Sequence, residues 1–253
     1  MGRGPLTRGR VAALLASACC ALAVMLAPTV APAQGGRIAL PEGDRGAWAA
    51  VGQLRIGRSG HCTATLIAPD VLLTAAHCLF ASDSGRPFAA TRLQFRPGWW
   101  EGAGRLRLHG WSVAVAEGFR YDLARARPDA DVALVRLSGA APAPLSPFPA
   151  ASLPARPGER VAVLSYGRDR PDAPSIQPGC RILQRSGSLL LTDCEALPGS
   201  SGAPLLRLTG GAVEVIGVIS SRMGPEEAES GPALAIALDG YLPALMESLA
   251  PRQ

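Results

Sequence analysis

Apolar residues along this chain fall in short runs, and Gly, Pro or Asp separates one run from the next. Many runs are built from Val, Ile, Leu and Thr, the composition of strands. The pattern predicts strands at 51–57, 62–67, 71–74, 91–95, 105–108, 111–116, 132–137, 160–165, 181–184, 188–192, 204–208, 213–220 and 233–238. Short strands at regular spacing, divided by turn residues, indicate an all-β sandwich or barrel. Only the end changes period. From Asp239 to Ala250, Leu242, Leu245, Met246 and Leu249 recur at helical spacing, behind an Asp placed to cap the helix. Six prolines in the 21 residues from Ser138 to Gly158 exclude a helix or a central strand. Residues 138–157 therefore read as an ordered linker between two β halves, 46–137 and 158–253. No fixed-period repeat of the solenoid kind is present.

The first residues follow a different pattern. Arg3, Arg8 and Arg10 precede a charge-free run from Val11 to Gly36, whose apolar part ends before Pro28 and Ala31-Pro32-Ala33. A basic start, an apolar middle and a small-residue end are the three regions of a secretory signal peptide, here 1–33 with cleavage after Ala33. The 17-residue apolar run Val11–Ala27, broken only by Ser17, approaches a membrane-spanning length, but Pro28 and Pro32 count against a retained anchor. Lipid attachment at Cys19 is weaker still, since Ala16 stands where a leucine is expected. Residues 34–45 then form an N-terminal segment or a short pro-segment. The expected destination is the periplasm or the outside medium, with no stable membrane association after cleavage.

Composition narrows the chemistry. All 25 basic residues are Arg, so no mechanism needing a Schiff-base or phosphate-loop lysine is available. Loss of residues 1–33 lowers the formal charge from +5 to +2, which is not the balance of a nucleic-acid binder. The same cleavage removes Cys19 and Cys20 and leaves Cys62, Cys78, Cys180 and Cys194. An even number in an oxidising compartment implies two disulfides with three possible pairings, and clustering favours Cys62–Cys78 with Cys180–Cys194.

Three short segments carry candidate chemistry. Thr74-Ala75-Ala76-His77-Cys78 follows a strand-like stretch; Asp131 directly precedes Val132-Ala133-Leu134-Val135; and Pro198-Gly199-Ser200-Ser201-Gly202-Ala203-Pro204 comes last. Together, and in this order, they resemble the trypsin/chymotrypsin-like serine peptidases, over most of residues 45–250. The Gly-x-Ser-Gly-x-Pro form of the third segment is similar to the bacterial glutamyl-endopeptidase-like branch. The resemblance implies two six-stranded antiparallel β-barrels with a short C-terminal helix, a Cys62–Cys78 disulfide holding the histidine loop, and catalytic His77, Asp131 and Ser201. His77 would take the Ser201 proton during attack and return it to the leaving amine, while Asp131 orients the imidazole. The amides of Gly199 and Ser201 would form the oxyanion hole.

Competing assignments sit close by. Ser200 is the rival nucleophile, Asp122 and Asp129 rival Asp131, and His61 and His109 read as structural or surface residues. His61-Cys62 and His77-Cys78 raise the question of zinc, but adjacent strand residues point to opposite faces and chelate poorly. Ala203 also breaks the Gly-x-Ser-x-Gly elbow of an α/β-hydrolase. No metal or cofactor is expected.

For specificity, Glu195 lies six residues before Ser201, where trypsin-like members place an acid, and the edge at Ser220 and Ser221 would pair with substrate backbone. Glutamyl-specific relatives instead use a histidine near the position of Ile219. Ser200 replaces the aspartate that pairs with a freed N-terminus in trypsin-like zymogens, so activation by that route is not expected. A polypeptide substrate and a monomer are. The alternative from another class is a non-catalytic homologue that binds peptides or proteins through the same cleft.

Overall fold

Thirteen strands and one helix make up the described part of the chain in the computed structural model, which covers residues 1–2, 36–57, 60–101, 104, 106–121, 128–225 and 228–249. All of these elements fall within one compact unit, Pro32–Gln253; of the other unit, Met1–Ala31, only residues 1–2 are described. The signal-peptide segment and Asp122 lie outside the described residues. No helix among the described residues is long and apolar enough to cross a membrane.

The first barrel contains β2 (Val51–Ile56), β3 (His61–Ala68), β4 (Val71–Thr74), β5 (Leu93–Pro97), β6 (Leu108–Val115) and β7 (Ala133–Leu137). They close in the order β2-β3-β4-β7-β6-β5. Leu54, Leu66, Leu72, Phe95 and Leu134 are fully buried, as expected of alternate residues pointing to the axis of a closed sheet.

The second barrel contains β8 (Arg160–Ser165), β9 (Ser175–Ser186), β10 (Leu189–Ala196), β11 (Pro204–Thr209), β12 (Ala212–Arg222) and β13 (Gly231–Ala237). β8 pairs with both β9 and β11, which closes the ring through β10, β13 and β12. Ile182, Leu190, Leu205 and Ile216 are buried in its core. A short β1 (Ile38–Ala39) is added alongside β9, and the buried Leu40 donates its amide to the Pro174 carbonyl.

Three differences from the sequence pattern have physical reasons. Of the predicted 105–108 strand only Leu108 is strand, and it is continuous past Gly110 with the predicted 111–116 strand as β6. The predicted 181–184 strand is the end of the twelve-residue β9, whose first half contains Pro178 and Gly179. Val161 pairs with Cys180 while Ala162 pairs with Pro178, so Gly179 is the extra residue of a bulge, and a bulge tolerates a proline without a ladder N–H. The helix α1 runs Leu242–Ser248, but Asp239 does not cap it. Its carboxylate pairs with Arg185 at 2.8 Å instead. Leu245 and Leu249 are buried, and α1 packs on β6 and β7, so the end of the chain returns to the first barrel.

The linker makes no helix. Phe148 donates to Leu66 O in the first barrel, and Ala151 and Val215 exchange amide bonds with the second through Val215 O and Pro149 O.

Candidate active site

The ladder between β4 and β7 ends at Thr74 and Ala133. His77 lies just beyond one strand end, in a short 3-10 turn, and Asp131 just before the other. Antiparallel pairing therefore brings them to the same end of the barrel. Asp131 is 5% exposed and holds His77 at two points. Its Oδ1 accepts the His77 amide at 2.8 Å, and its Oδ2 lies 2.7 Å from His77 Nδ1. The same Oδ2 accepts the Ser220 hydroxyl at 2.6 Å, which ties the first barrel to β12 of the second.

Burial pushes the Asp131 carboxyl upward, but the charge and ring bond of His77, the Ser220 hydroxyl and the His77 amide outweigh it. The net direction is below the ordinary carboxylate value, so the group stays ionised. With Nδ1 committed to the carboxylate, Nε2 is the nitrogen left for proton transfer. It lies 3.7 Å from Cys78 Sγ.

Ser201 occupies the turn between β10 and β11. Its carbonyl accepts the Thr63 amide at 2.8 Å, and its hydroxyl points toward the Ser220 carbonyl at 3.4 Å. Gly202 has a φ of +82° and lies so close to β3 that an added Cβ would meet Thr63 O at 2.1 Å. Only glycine permits that approach. Ser200 points the other way: it is fully buried, and its hydroxyl donates to Ser165 Oγ at 3.2 Å.

Gly199 adopts a φ of +95°, and a Cβ there would meet the Tyr166 carbonyl at 2.5 Å. The Pro198 carbonyl accepts the Arg168 amide at 2.7 Å. Because C=O and N–H oppose each other across a peptide plane, that bond turns the Gly199 N–H away from Arg168. Among the described residues neither the Gly199 nor the Ser201 amide donates to a protein acceptor. Two free donors in one turn are the arrangement that an oxyanion hole requires.

Both favoured disulfides are present: Cys62–Cys78 with S–S 2.02 Å and Cys180–Cys194 with S–S 2.14 Å. The first links β3 to the His77 turn, and with its sulfurs bonded to each other neither is a thiolate ligand. The second joins β9 to β10, each cysteine two residues beyond the Ile182–Thr192 pair.

Asp129 offers its backbone carbonyl to Ser188 and Tyr241, and His109 is exposed on β6. The residues expected from the sequence to set specificity are dispersed. Glu195 is half-buried on β10, opposite Pro232 of β13, with its amide bonded to Gln177 Oε1 at 2.7 Å. Ser221 is exposed on β12, whereas Ser220 is buried and turned to Asp131. An open cavity of about 300 Å³ borders His77, the Cys62–Cys78 disulfide, Gly199, Arg168 and His61.

The family of the trypsin-like peptidase domain matches residues 62–218, more than half of the chain. The chain belongs to the trypsin-like peptidase family. Among solved structures, a Glu endopeptidase in complex with MPD superposes with a TM-score of 0.65 at 18% identity, covering 84% of this chain and 94% of that one. At that identity the likeness shows the fold, a chymotrypsin-like pair of barrels. No curated protein matches the chain. Its trypsin-like fold and its two disulfides are consistent with an extracellular location.

Two contacts of this peptidase escaped the sequence pattern. Ser220 was legible as a strand edge but not as a donor to Asp131, because the two are 89 positions apart. His61 reads as structural in the sequence, and it is so in part. Its Nε2 lies 3.0 Å from Tyr166 O, which makes that nitrogen the donor, yet the ring also borders the cavity. Burial is the largest influence lowering its pKa; the Tyr166 bond opposes this, and Arg55 and Arg168 add to the lowering.

Proposed function

We propose that the protein is an exported serine endopeptidase that hydrolyses peptide bonds through His77, Asp131 and Ser201 and an acyl-enzyme intermediate. The observation that carries this reading is the double hold of Asp131 on His77, through ring and backbone, with Ser201 on the neighbouring turn. In the resting state the Ser201 hydroxyl faces the Ser220 carbonyl. For attack the hydroxyl must leave that carbonyl and turn toward His77 Nε2. His77 then takes the hydroxyl proton as Ser201 Oγ bonds to the scissile carbonyl carbon. Negative charge on the carbonyl oxygen is met by the Gly199 and Ser201 amides. Collapse breaks the C–N bond, and His77 passes its proton to the departing amine. Water, deprotonated by His77, releases the acid and restores Ser201. The ionised Asp131 stabilises the imidazolium throughout.

On this reading residues 36–45 are a structural strap rather than a blocking pro-segment. β1 lies on β9, Arg37 pairs with Asp169 at 3.0 Å, and Arg45 sits 4.0 Å over the Trp100 ring. The protein works as a secreted or periplasmic monomer without metal or cofactor, and Glu195 and the edge at Ser221 contact the acyl side of the substrate. The resting rotamer of Ser201 also suits the other class, a non-catalytic homologue that holds peptides in the same cleft.

A fluorophosphonate probe separates the two. Labelling of the purified protein that is lost in Ser201→Ala and kept in Ser200→Ala supports the peptidase. A folded, disulfide-intact protein that takes no label is a binding homologue.

A further inference from the structure

The cavity beside His77 lies on one side of the catalytic residues only. It touches His77 and Gly199 but none of Ser220, Ser221 or Glu195. With Glu195 and Ser221 on the acyl side, as proposed above, the cavity receives the residues that leave with the amine. Its wall is apolar where Ile56, Phe80 and Phe88 line it, and Arg168 stands at its border.

Cations continue from that border across the outer face of the first barrel. His61 pairs with Arg55 across β3 and β2, Arg55 with Gln94 of β5, and Gln53 beside it with Arg96. Paired residues share a face of the sheet, so Arg55 and Arg96 lie on the same face as His61. Arg96 and Arg107 each lie 4.7 Å from the Trp99 ring, which extends the row. Among the described residues none of Arg55, Arg96, Arg107 and Arg168 has a carboxylate at ion-pair distance. Asp172, held by Trp99 Nε1 at 3.1 Å, lies among them, and Asp169, next to Arg168, is paired with Arg37 at 3.0 Å. Burial, and after it the neighbouring arginines, lower the His61 pKa, so the row is one of arginines.

We propose that this leaving-side cavity and the arginine row beside it select substrates with Asp or Glu in the first two positions after the scissile bond. The methylenes of such a side chain pack on the apolar wall, and its carboxylate meets Arg168, with Arg55 next along the row. A following acidic stretch would run on toward Arg96 and Arg107. The formal charge of the chain after residue 33, only +2, does not forecast this, because the cations are concentrated by folding rather than by abundance.

The inference rests on the peptidase reading, and one experiment keeps the two apart. Active sites of the purified protein are first counted with the fluorophosphonate. Quenched peptides identical on the acyl side then carry Asp, Glu, Ala or Lys at the two positions after the cleaved bond, and kcat/KM is compared. Acidic peptides should exceed Ala by about fivefold at low salt, the upper range for an exposed ion pair, and the advantage should shrink in 0.5 M salt. Arg168→Glu should invert the order of Asp and Lys; the ratio is internal to each variant, so a general loss of folded protein cancels. Equal rates for all leaving sides, or an order that survives Arg168→Glu and Arg55→Glu, would overturn the proposal while leaving the peptidase reading intact. Should no serine label, the same peptides are tested for binding by fluorescence anisotropy. A preference for the acidic set supports the cavity assignment there as well, and equal affinities refute it.

Discussion

Replacing Ser220 by Ala removes a single hydroxyl and leaves the backbone of β12 in place. That hydroxyl donates to a carboxylate oxygen at 2.6 Å, and the acceptor is 5% exposed, so no bulk water takes its place freely. A hydrogen bond to a buried charge contributes about 1.5–3 kcal/mol, and the variant should lose that much stability at pH 7. The lost bond favoured the ionised form, so the folded-state pKa of Asp131 should rise. The sign follows from linkage. Asp131 is depressed in the folded protein, so its contribution is fully present above the unfolded value of about 4 and lost as pH falls through the folded value. The unfolded value is common to both proteins and cancels, so the gap between wild type and Ser220→Ala should hold through neutral pH and narrow as pH falls from the variant's folded value toward the lower wild-type one. Urea unfolding at a series of pH values measures the gap, and peptide hydrolysis at pH 7 should fall about tenfold as the imidazolium loses part of its support. A gap absent at pH 7, or one unchanged down to pH 3, would refute the account of Asp131.

Gly199→Ala places a Cβ 2.5 Å from Tyr166 O and 2.8 Å from His61 Nε2 at a φ of +95°, so the turn must shift. Turnover should fall by about 100-fold or more, the cost of losing one oxyanion donor, with KM changed far less. Separating Cys62 and Cys78, 16 positions apart, by Cys62→Ser with Cys78→Ser should cost about 3 kcal/mol in denaturant unfolding. That pair should also depress kcat, because the His77 turn is anchored through Cys78. Leu245→Ala truncates a buried side chain of α1 and should cost about 2–5 kcal/mol in thermal unfolding without altering the fluorophosphonate labelling rate.

The individual misreadings share a cause. Strand positions were legible wherever an apolar run stood between turn residues, but the first half of β9 was not, because Pro178 and Gly179 look like a break and are a bulge. Asp239 had the position of a helix cap, and the distant Arg185 outcompeted the helix terminus for it. Neither His61 nor Ser220 carried a local signal for the contact it makes. Their contacts, Tyr166 and Asp131, are separated from them by 105 and 89 positions.

The sequence by itself determined the all-β class, the terminal helix, the two favoured cysteine pairings and the three segments bearing His77, Asp131 and Ser201. Each of these depends on local composition or on spacing within a short stretch, which the chain displays without folding. Only the tertiary structure decided that Asp131 and not Asp129 meets His77, that Ser200 is buried, and that Ser220 supports the carboxylate. Tertiary structure alone also concentrates scattered arginines into one row beside the cavity. Those outcomes depend on which strands close each barrel and in what register, because pairing sets the face and the neighbours of every side chain.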